Sequence, residues 1–584
     1  MTASSIPLCK RRVLLPVVIT ALLLATVAGS KAAEVDYAQT VAQLERLVDA
    51  ELERGILTGV SIALVDDQRI VFSDGFGFAD EKARRPATRE TVYRAGSISK
   101  LFTALATMQL VERDKLDIDR PVTDFWPEFR IVVPFADAGP ITLRQLMCHR
   151  SGLVRESPVG GYFDPNGPSI GETVASLADC VLAHRPGTVT KYSNAGVTVV
   201  GHVVSEVSGE DFCDYQRKHV LGPIGMKSSG FLAKGKIRRQ LSTSYMQVAD
   251  GRGGFRRIES PRFELGTIPA GNLYTTADDL GRFLAFLFAE GSVKGKQIVK
   301  PETLATMFTP QLVDAKSGFG LGFHVDQFRS RKRIGHSGAV YGFSSSIAGI
   351  PELQVGVVVL ANEDIAGGPV RKLATAALGW MVDAQLADET PPEEKPDEET
   401  SSHAEPLEAG PFDAEPFAGH YESAGYWARI EPAEGGLAAV VSGQRLKLIP
   451  DGPDKFRADG RWTTDAPFEF SRDDDDRVMQ FKAMRQTFRR VDPDAAPETP
   501  EAWQAFLGSY GPEFIPLIVS IRYGHLYAMT ENMVDYRLTP LNRTVFKMSP
   551  GMYLGEELVF QPDADGRVHS AVLAGMVLRR IEPE

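Results

Sequence analysis

Apolar residues recur at helical spacing from Tyr37 to Glu53, with Val41, Leu44, Leu47, Val48 and Leu52 on one side, so the pattern predicts an amphipathic helix. The period then changes. Gly59 to Val65 and Arg69 to Phe78 read as a β-hairpin turning at Asp66-Asp67-Gln68. Gly96 and Ser97 open a helix whose positions Leu101, Leu105, Met108 and Leu110 are apolar enough to be buried in a core. Tyr192 follows the turn signal Pro186-Gly187-Thr188 and precedes the apolar run Gly196 to Val204, which puts it on a loop entering a buried element. Thr276 caps a predicted helix over Thr276 to Ala289, and Lys372 to Gln385 reads as a terminal one. His336-Ser337-Gly338 precedes Gly342 to Gly349 and Val355 to Leu360, both strand-like, and so stands at a strand itself. Helix, hairpin and buried helix in that order fit an antiparallel sheet packed by helices.

Residues 387–416 break the pattern with proline, glutamate and aspartate, as in Asp388-Glu389-Thr390-Pro391-Pro392-Glu393-Glu394. Too little here can be buried to offset ordering, so a solvated linker is expected. Beyond it the chain repeats with a period of about ninety residues. Phe417-x-Gly419-x-Tyr421 recurs as Phe506-x-Gly508-x-Tyr510, and Leu448-x-Pro450 as Leu538-x-Pro540. Arg477-Val478 recurs as Arg567-Val568, and Arg489-Arg490 as Arg579-Arg580. Short apolar or alternating segments split by Gly, Asp and Pro give each copy the pattern of a small antiparallel β-barrel, over 417–492 and 502–584.

With 584 residues the chain exceeds one core and suits three or four domains of about 150 residues each. At 43% hydrophobic and 24% charged it has ordinary globular composition. A net charge of -12 argues against a nucleic-acid partner and offers no polybasic membrane patch. Lys10, Arg11 and Arg12 precede the apolar run Val13 to Ala28 and then Gly29-Ser30, so residues 1–30 read as a secretory signal peptide, with an uncleaved anchor as the alternative. The expected location is periplasmic or secreted. Cys148, Cys180 and Cys213 remain after loss of Cys9, an odd number that permits at most one disulfide. No His or Cys pair has metal-ligand spacing, so neither a metal nor a cofactor is expected.

Three short motifs carry chemistry. Ser97-Ile98-Ser99-Lys100 sets a hydroxyl and an amine one helical turn apart, and an amine expected half-buried there loses its proton readily enough to activate the hydroxyl. Taken alone, the same residues serve equally well as a helix cap and a lysine reaching for solvent. Tyr192-Ser193-Asn194 and His336-Ser337-Gly338 follow in order.

In that order the three motifs resemble those of the serine β-lactamase and penicillin-recognising family, in the class C branch with D-alanyl-D-alanine carboxypeptidases, D-aminopeptidases and esterases. Ile141 to Leu153 and Pro269 to Leu280 extend the likeness. The resemblance implies an α/β (α+β) β-lactamase-like catalytic domain over 34–386, with an antiparallel sheet and a helical region around the site. The following modules resemble lipocalin-like barrels, expected to stabilise the protein or its oligomers. Ser97 becomes the acylated nucleophile, with Lys100 and Tyr192 sharing its proton and the choice of base left open. Asn194 is expected on the substrate amide, and the N–H groups of Ser97 and Ala339 as the oxyanion hole. Gly338 is expected to let substrate lie against its strand. His336 and Ser337 stand where the β-lactamase motif has lysine and threonine, which weakens the case for antibiotic hydrolysis. The implied function is an exported serine hydrolase acting on a small peptide, amide or ester, including peptides with D-residues. The alternative is a receptor that acylates at Ser97 without turnover.

Overall fold

Every residue of Gly59–Asp66 is buried, which a strand achieves inside a sheet that is covered on both faces. In the computed structural model, which describes residues 1, 35–249, 255–312, 315–387 and 413–582, this strand is β1. The proposed signal peptide and most of the linker lie outside the described residues. β2 (Arg69–Asp80) follows β1 across the Asp67-Gln68 turn. Six further strands complete the sheet: β3 (Arg85–Pro86), β4 (Gly318–Phe319), β5 (His324–Phe328), β6 (Arg331–Val340), β7 (Phe343–Ile350) and β8 (Val355–Ala361). The order is β4-β5-β6-β7-β8-β1-β2-β3, antiparallel throughout. β1 therefore pairs with both the hairpin partner next to it and the distant β8, joining the two ends of the catalytic region.

Helices cover this sheet. α1 (Ala38–Glu53) packs against the late helix α5 (Gly367–Gln385), which lies on β7 and β8. α2 (Ser99–Val111) is buried at twelve of its thirteen positions and packs on α3 (Asn194–Ser208), the helix formed by the apolar run after Tyr192. α4 (Ala277–Phe288) starts where Thr276 accepts from Asp279 N at 3.1 Å and packs on β1, β2 and β8.

α5 begins at Gly367, ahead of the expected Lys372, because Gly367-Gly368-Pro369 conceals a helix start. The glycine has a reason: a Cβ on Gly368 would overlap the Gly460 carbonyl, where this helix meets the first barrel.

The repeat forms two eight-stranded modules. The first, from Gly419 to Val491, closes on itself as its first strand pairs with its last. The second, from Gly508 to Arg579, is nearly closed by a bridge between Tyr510 and Arg580. The recurring residues form one closure device in both. Tyr421 donates to Phe417 O and Tyr510 to Phe506 O, each at 2.8 Å. Arg490 and Arg580 lie over these two tyrosine rings and donate to the carbonyls beside them. From Tyr37 onward catalytic region and barrels form one compact unit. Among the described residues Cys148, Cys180 and Cys213 are free, and no helix is long and apolar enough to cross a membrane.

Candidate active site

Ser97 lies in the turn just before α2, not on the helix itself, and its hydroxyl makes no capping bond. It is half-buried and lines a cavity of about 2150 Å³, whereas Lys100 is buried rather than half-buried. Lys100 Nζ stands 3.0 Å from Ser97 Oγ, 2.7 Å from Asn194 Oδ1 and 2.8 Å from Ala270 O. Two fixed acceptors take two N–H bonds and aim the third position of the nitrogen at the serine. In the neutral amine that position is a lone pair, ready for the hydroxyl proton. Burial drives the Lys100 pKa well below its usual value, helped by Arg155 and opposed by Glu156.

Tyr192 completes the group. Lys100 Nζ lies 4.8 Å from its ring centroid, and its phenol is hydrogen-bonded to Ser97. Burial pushes this phenol above its usual range, against the Ser97 bond and Arg155. The electrostatics thus favour a neutral amine over a phenolate as proton acceptor.

The residues around Tyr192 are held from two directions. His149 packs its ring on Tyr192 at 4.1 Å, accepts from Ser193 N through Nδ1 at 3.2 Å, and receives Lys191 N on its carbonyl. Burial and the Lys100 charge keep it neutral, well below the usual imidazole range. Ser193 caps α3 by accepting from Gly196 N at 2.8 Å, and its own hydroxyl donates to Val154 O at 2.6 Å.

Asn194, expected on substrate, lines the cavity and is also engaged within the protein. Its Oδ1 accepts from Lys100, and its Nδ2 donates to Glu156 Oε1 at 2.5 Å.

β6 forms the opposite wall. A Cβ on Gly96 would lie 2.8 Å from Ala339 N, so the Ser97 turn abuts Ala339. Gly338 serves this contact: a side chain there would overlap the Ala95 carbonyl and Ser345 Oγ. Ala339 O already accepts from Tyr162 Oη at 2.5 Å. His336 points inward toward Tyr192, with ring centroids 6.2 Å apart, while Ser337 faces outward. The His336 Nδ1–H donates to Ser337 O at 2.5 Å, which fixes the tautomer, and Nε2 is buried without a partner. Burial and then Lys100 hold its pKa down at about 3.

The second barrel reaches this pocket. Arg155, beneath Tyr192 at 5.5 Å, pairs with Glu531 at 3.1 Å, and its backbone N–H donates to Glu556 at 2.8 Å. Burial opposes the Arg155 charge, but Glu531 and Glu156 outweigh it and raise its pKa. Lys191 pairs closely with Glu556, both side chains being buried. Tyr553 donates to Glu531 at 3.1 Å. Glu531, Asn532 and Met552 line the same cavity as Ser97. The barrel is therefore part of the wall and not only a stabiliser.

These arrangements agree with comparisons to known proteins. Protein Rv1367c of Mycobacterium tuberculosis is 29% identical over 323 residues, 49% of this chain and 80% of that protein. Protein flp of Staphylococcus aureus is 24% identical over 323 residues, 55% of this chain and 62% of its own length. Among solved structures, an octameric penicillin-binding protein homologue from Pyrococcus abyssi superposes with a TM-score of 0.52 at 24% identity, covering 77% of this chain and 99% of that one. D-amino acid amidase from Ochrobactrum anthropi SV3 superposes with a TM-score of 0.50 at 22% identity, covering 60% and 100%. Both likenesses are of fold. The family described as Beta-lactamase matches residues 44–379, more than half of the chain, and the protein belongs to that family.

Proposed function

We propose that this protein is an exported serine hydrolase that cleaves an amide or ester through an acyl-enzyme on Ser97. The observation that carries the reading is the 3.0 Å approach of Lys100 Nζ to Ser97 Oγ at the edge of a large cavity. Ser97 Oγ attacks the substrate carbonyl carbon as its proton passes to neutral Lys100. The backbone N–H groups of Ser97 and Ala339 receive the developing oxyanion. Collapse breaks the bond to the leaving amine or alcohol, which takes the proton back from Lys100 or through the Tyr192 hydroxyl. Water then attacks the acyl-serine, returning the serine hydroxyl and releasing a carboxylic acid.

The groups packed around Tyr192 support substrates without a carboxylate beside the scissile bond, although the Arg371 guanidinium also lines the cavity. His336 is held neutral, and Arg155 and Lys191 are each committed to a carboxylate of the second barrel. An uncommitted cation is what a carboxylate would need. Amides, aminoacyl peptides including those with D-residues, and short esters suit the pocket better than cephalosporins or free C-terminal peptides. Export is supported by the signal-like sequence of residues 1–30.

A fluorophosphonate should label Ser97, and Ser97→Ala should abolish both labelling and p-nitrophenyl acetate hydrolysis. Hydrolysis by Ser97→Ala at the wild-type rate would refute the assignment. Run against the same control, a panel of D-aminoacyl amides, muropeptides, short esters and a chromogenic cephalosporin tests the substrate class. Labelling without multiple turnover would favour a receptor.

A further inference from the structure

Glu156 is fully buried and absent from the cavity lining, yet it stands at the end of a continuous chain of polar contacts to Ser97. Glu156 Oε1 accepts from Asn194 Nδ2 at 2.5 Å, Asn194 Oδ1 accepts from Lys100 Nζ at 2.7 Å, and Nζ reaches Ser97 Oγ at 3.0 Å. We infer that Glu156 is a positioning residue that fixes which way the Asn194 amide faces, and through it aims the Lys100 amine at Ser97. The inference rests on the reading of Ser97 and Lys100 given above.

Donors and acceptors decide which way the amide faces. The two ends of an asparagine amide have nearly the same shape, so packing alone does not choose between them. An ionised carboxylate can only accept, so Glu156 selects the NH₂ end and leaves the oxygen for Lys100. With the amide reversed, an NH₂ group would face Nζ, and one of the two acceptors that orient the amine would be lost.

The surroundings keep Glu156 in this role. A Cβ on Gly161 would lie 3.1 Å from Glu156 Cβ and 3.5 Å from Oε2, so the chain at Gly161 covers it. Arg155 Nε is 3.5 Å from Oε1, and Arg155 O receives Asn194 N at 2.8 Å. Glu156 Oε2 has no hydrogen-bond partner, so the bond to Asn194 is its main polar commitment.

The test is the rate at which Ser97 is acylated by p-nitrophenyl acetate and by a fluorophosphonate, measured at pH 8 on the full chain. Glu156→Ala should lower the acylation rate by up to about a hundredfold, the scale on which small misplacements act, with KM little changed. Glu156→Gln can accept or donate and so no longer dictates the amide's direction; its rate should fall between those of Glu156→Ala and wild type. In an Asn194→Ala background Glu156→Ala should add no further loss. A second pair keeps the inference testable if Glu156→Ala does not fold. Asn194→Asp sets two carboxylates face to face and should be slow. Glu156→Gln then supplies an NH₂ donor to the new carboxylate and should restore the rate by at least about tenfold. Wild-type rates in a folded Glu156→Ala, additive losses with Asn194→Ala, or no restoration of Asn194→Asp would each overturn the inference. Loss of labelling in Ser97→Ala with normal Glu156 variants would overturn this inference alone, whereas labelling of Ser97→Ala would overturn the functional reading itself.

Discussion

At the scale of the residue, the electrostatics of Lys100 set a pH dependence of known sign. Its pKa is depressed, first by burial and then by Arg155, so a neutral amine exists at lower pH than for a free lysine. A base acts only when deprotonated, so acylation of Ser97 should rise with pH and level off with a midpoint well below 10.5. Four of the neighbouring groups do not mimic this limb. His149 and His336 are already neutral, Tyr192 remains protonated, and Arg155 remains charged. Glu156, pushed up by burial to about 7, is the other group that titrates nearby. Glu156→Gln removes a charge that favours the ammonium and should shift the midpoint to lower pH. A pH-independent rate, or a midpoint at that of free lysine, would assign base catalysis elsewhere. The same shift acts on stability. Between the folded and unfolded pKa of Lys100 the unfolded chain binds the additional proton, so this lysine makes the fold more stable as pH rises toward 10.5. Ser97, Lys100 and Tyr192 were legible as motifs because their chemistry demands particular residue types at short spacings. Glu156 was not, although it lies three positions past Leu153, because a buried carboxylate that holds an amide obeys no spacing rule.

At the scale of the element, the site depends on how closely the Ser97 turn is seated on β6. Ser345 Oγ donates to Ala95 O at 2.9 Å, and Ala95 N donates to Leu273 O at 2.8 Å, so the turn is fixed on both sides. Ser99 ties the same layer together, donating to Gly96 O at 2.6 Å and accepting from Leu273 N at 2.9 Å. Gly338→Ala would drive a methyl group into the Ala95 carbonyl and part the strand from the turn. Overpacking of this kind costs about 1–3 kcal/mol. The variant should unfold at lower temperature and label more slowly with fluorophosphonate, since the Ser97 and Ala339 N–H groups separate. Unchanged labelling would mean that the two N–H groups do not act together. The β1–β2 hairpin, β7, β8 and the helices α1, α2, α4 and α5 were readable from their apolar runs and spacings, whereas the short strands β4 and β5 were not. The glycines were harder to read, because a missing side chain says only that something is close. At Gly338 that neighbour is the nucleophile turn, and at Gly368 it is the first barrel.

At the scale of the whole molecule, the barrels complete the site instead of merely following it. Nothing in sequence spacing links Glu531 and Glu556 to Arg155 and Lys191, because the pairing comes from loops of a module that begins beyond the linker and the first barrel. The contacts are nonetheless buried: Lys191 and Glu556 side chains are each 1% exposed. Removing one partner of such a pair leaves an uncompensated charge and costs about 3–5 kcal/mol, whereas replacing both by apolar groups is often neutral. Glu556→Ala should therefore destabilise strongly, since it strands Lys191 and also takes the acceptor from Arg155 N. Lys191→Met with Glu556→Leu should recover part of that loss in urea unfolding. The effect should extend to chemistry, because Lys191 immediately precedes Tyr192 and is gripped by the His149 carbonyl. Labelling of Ser97 in Glu556→Ala should slow under conditions where the variant is still folded, as judged by far-UV circular dichroism. A Glu556→Ala protein with wild-type stability and wild-type labelling would mean that the second barrel only rests against the pocket, and that the catalytic region holds Tyr192 in place unaided.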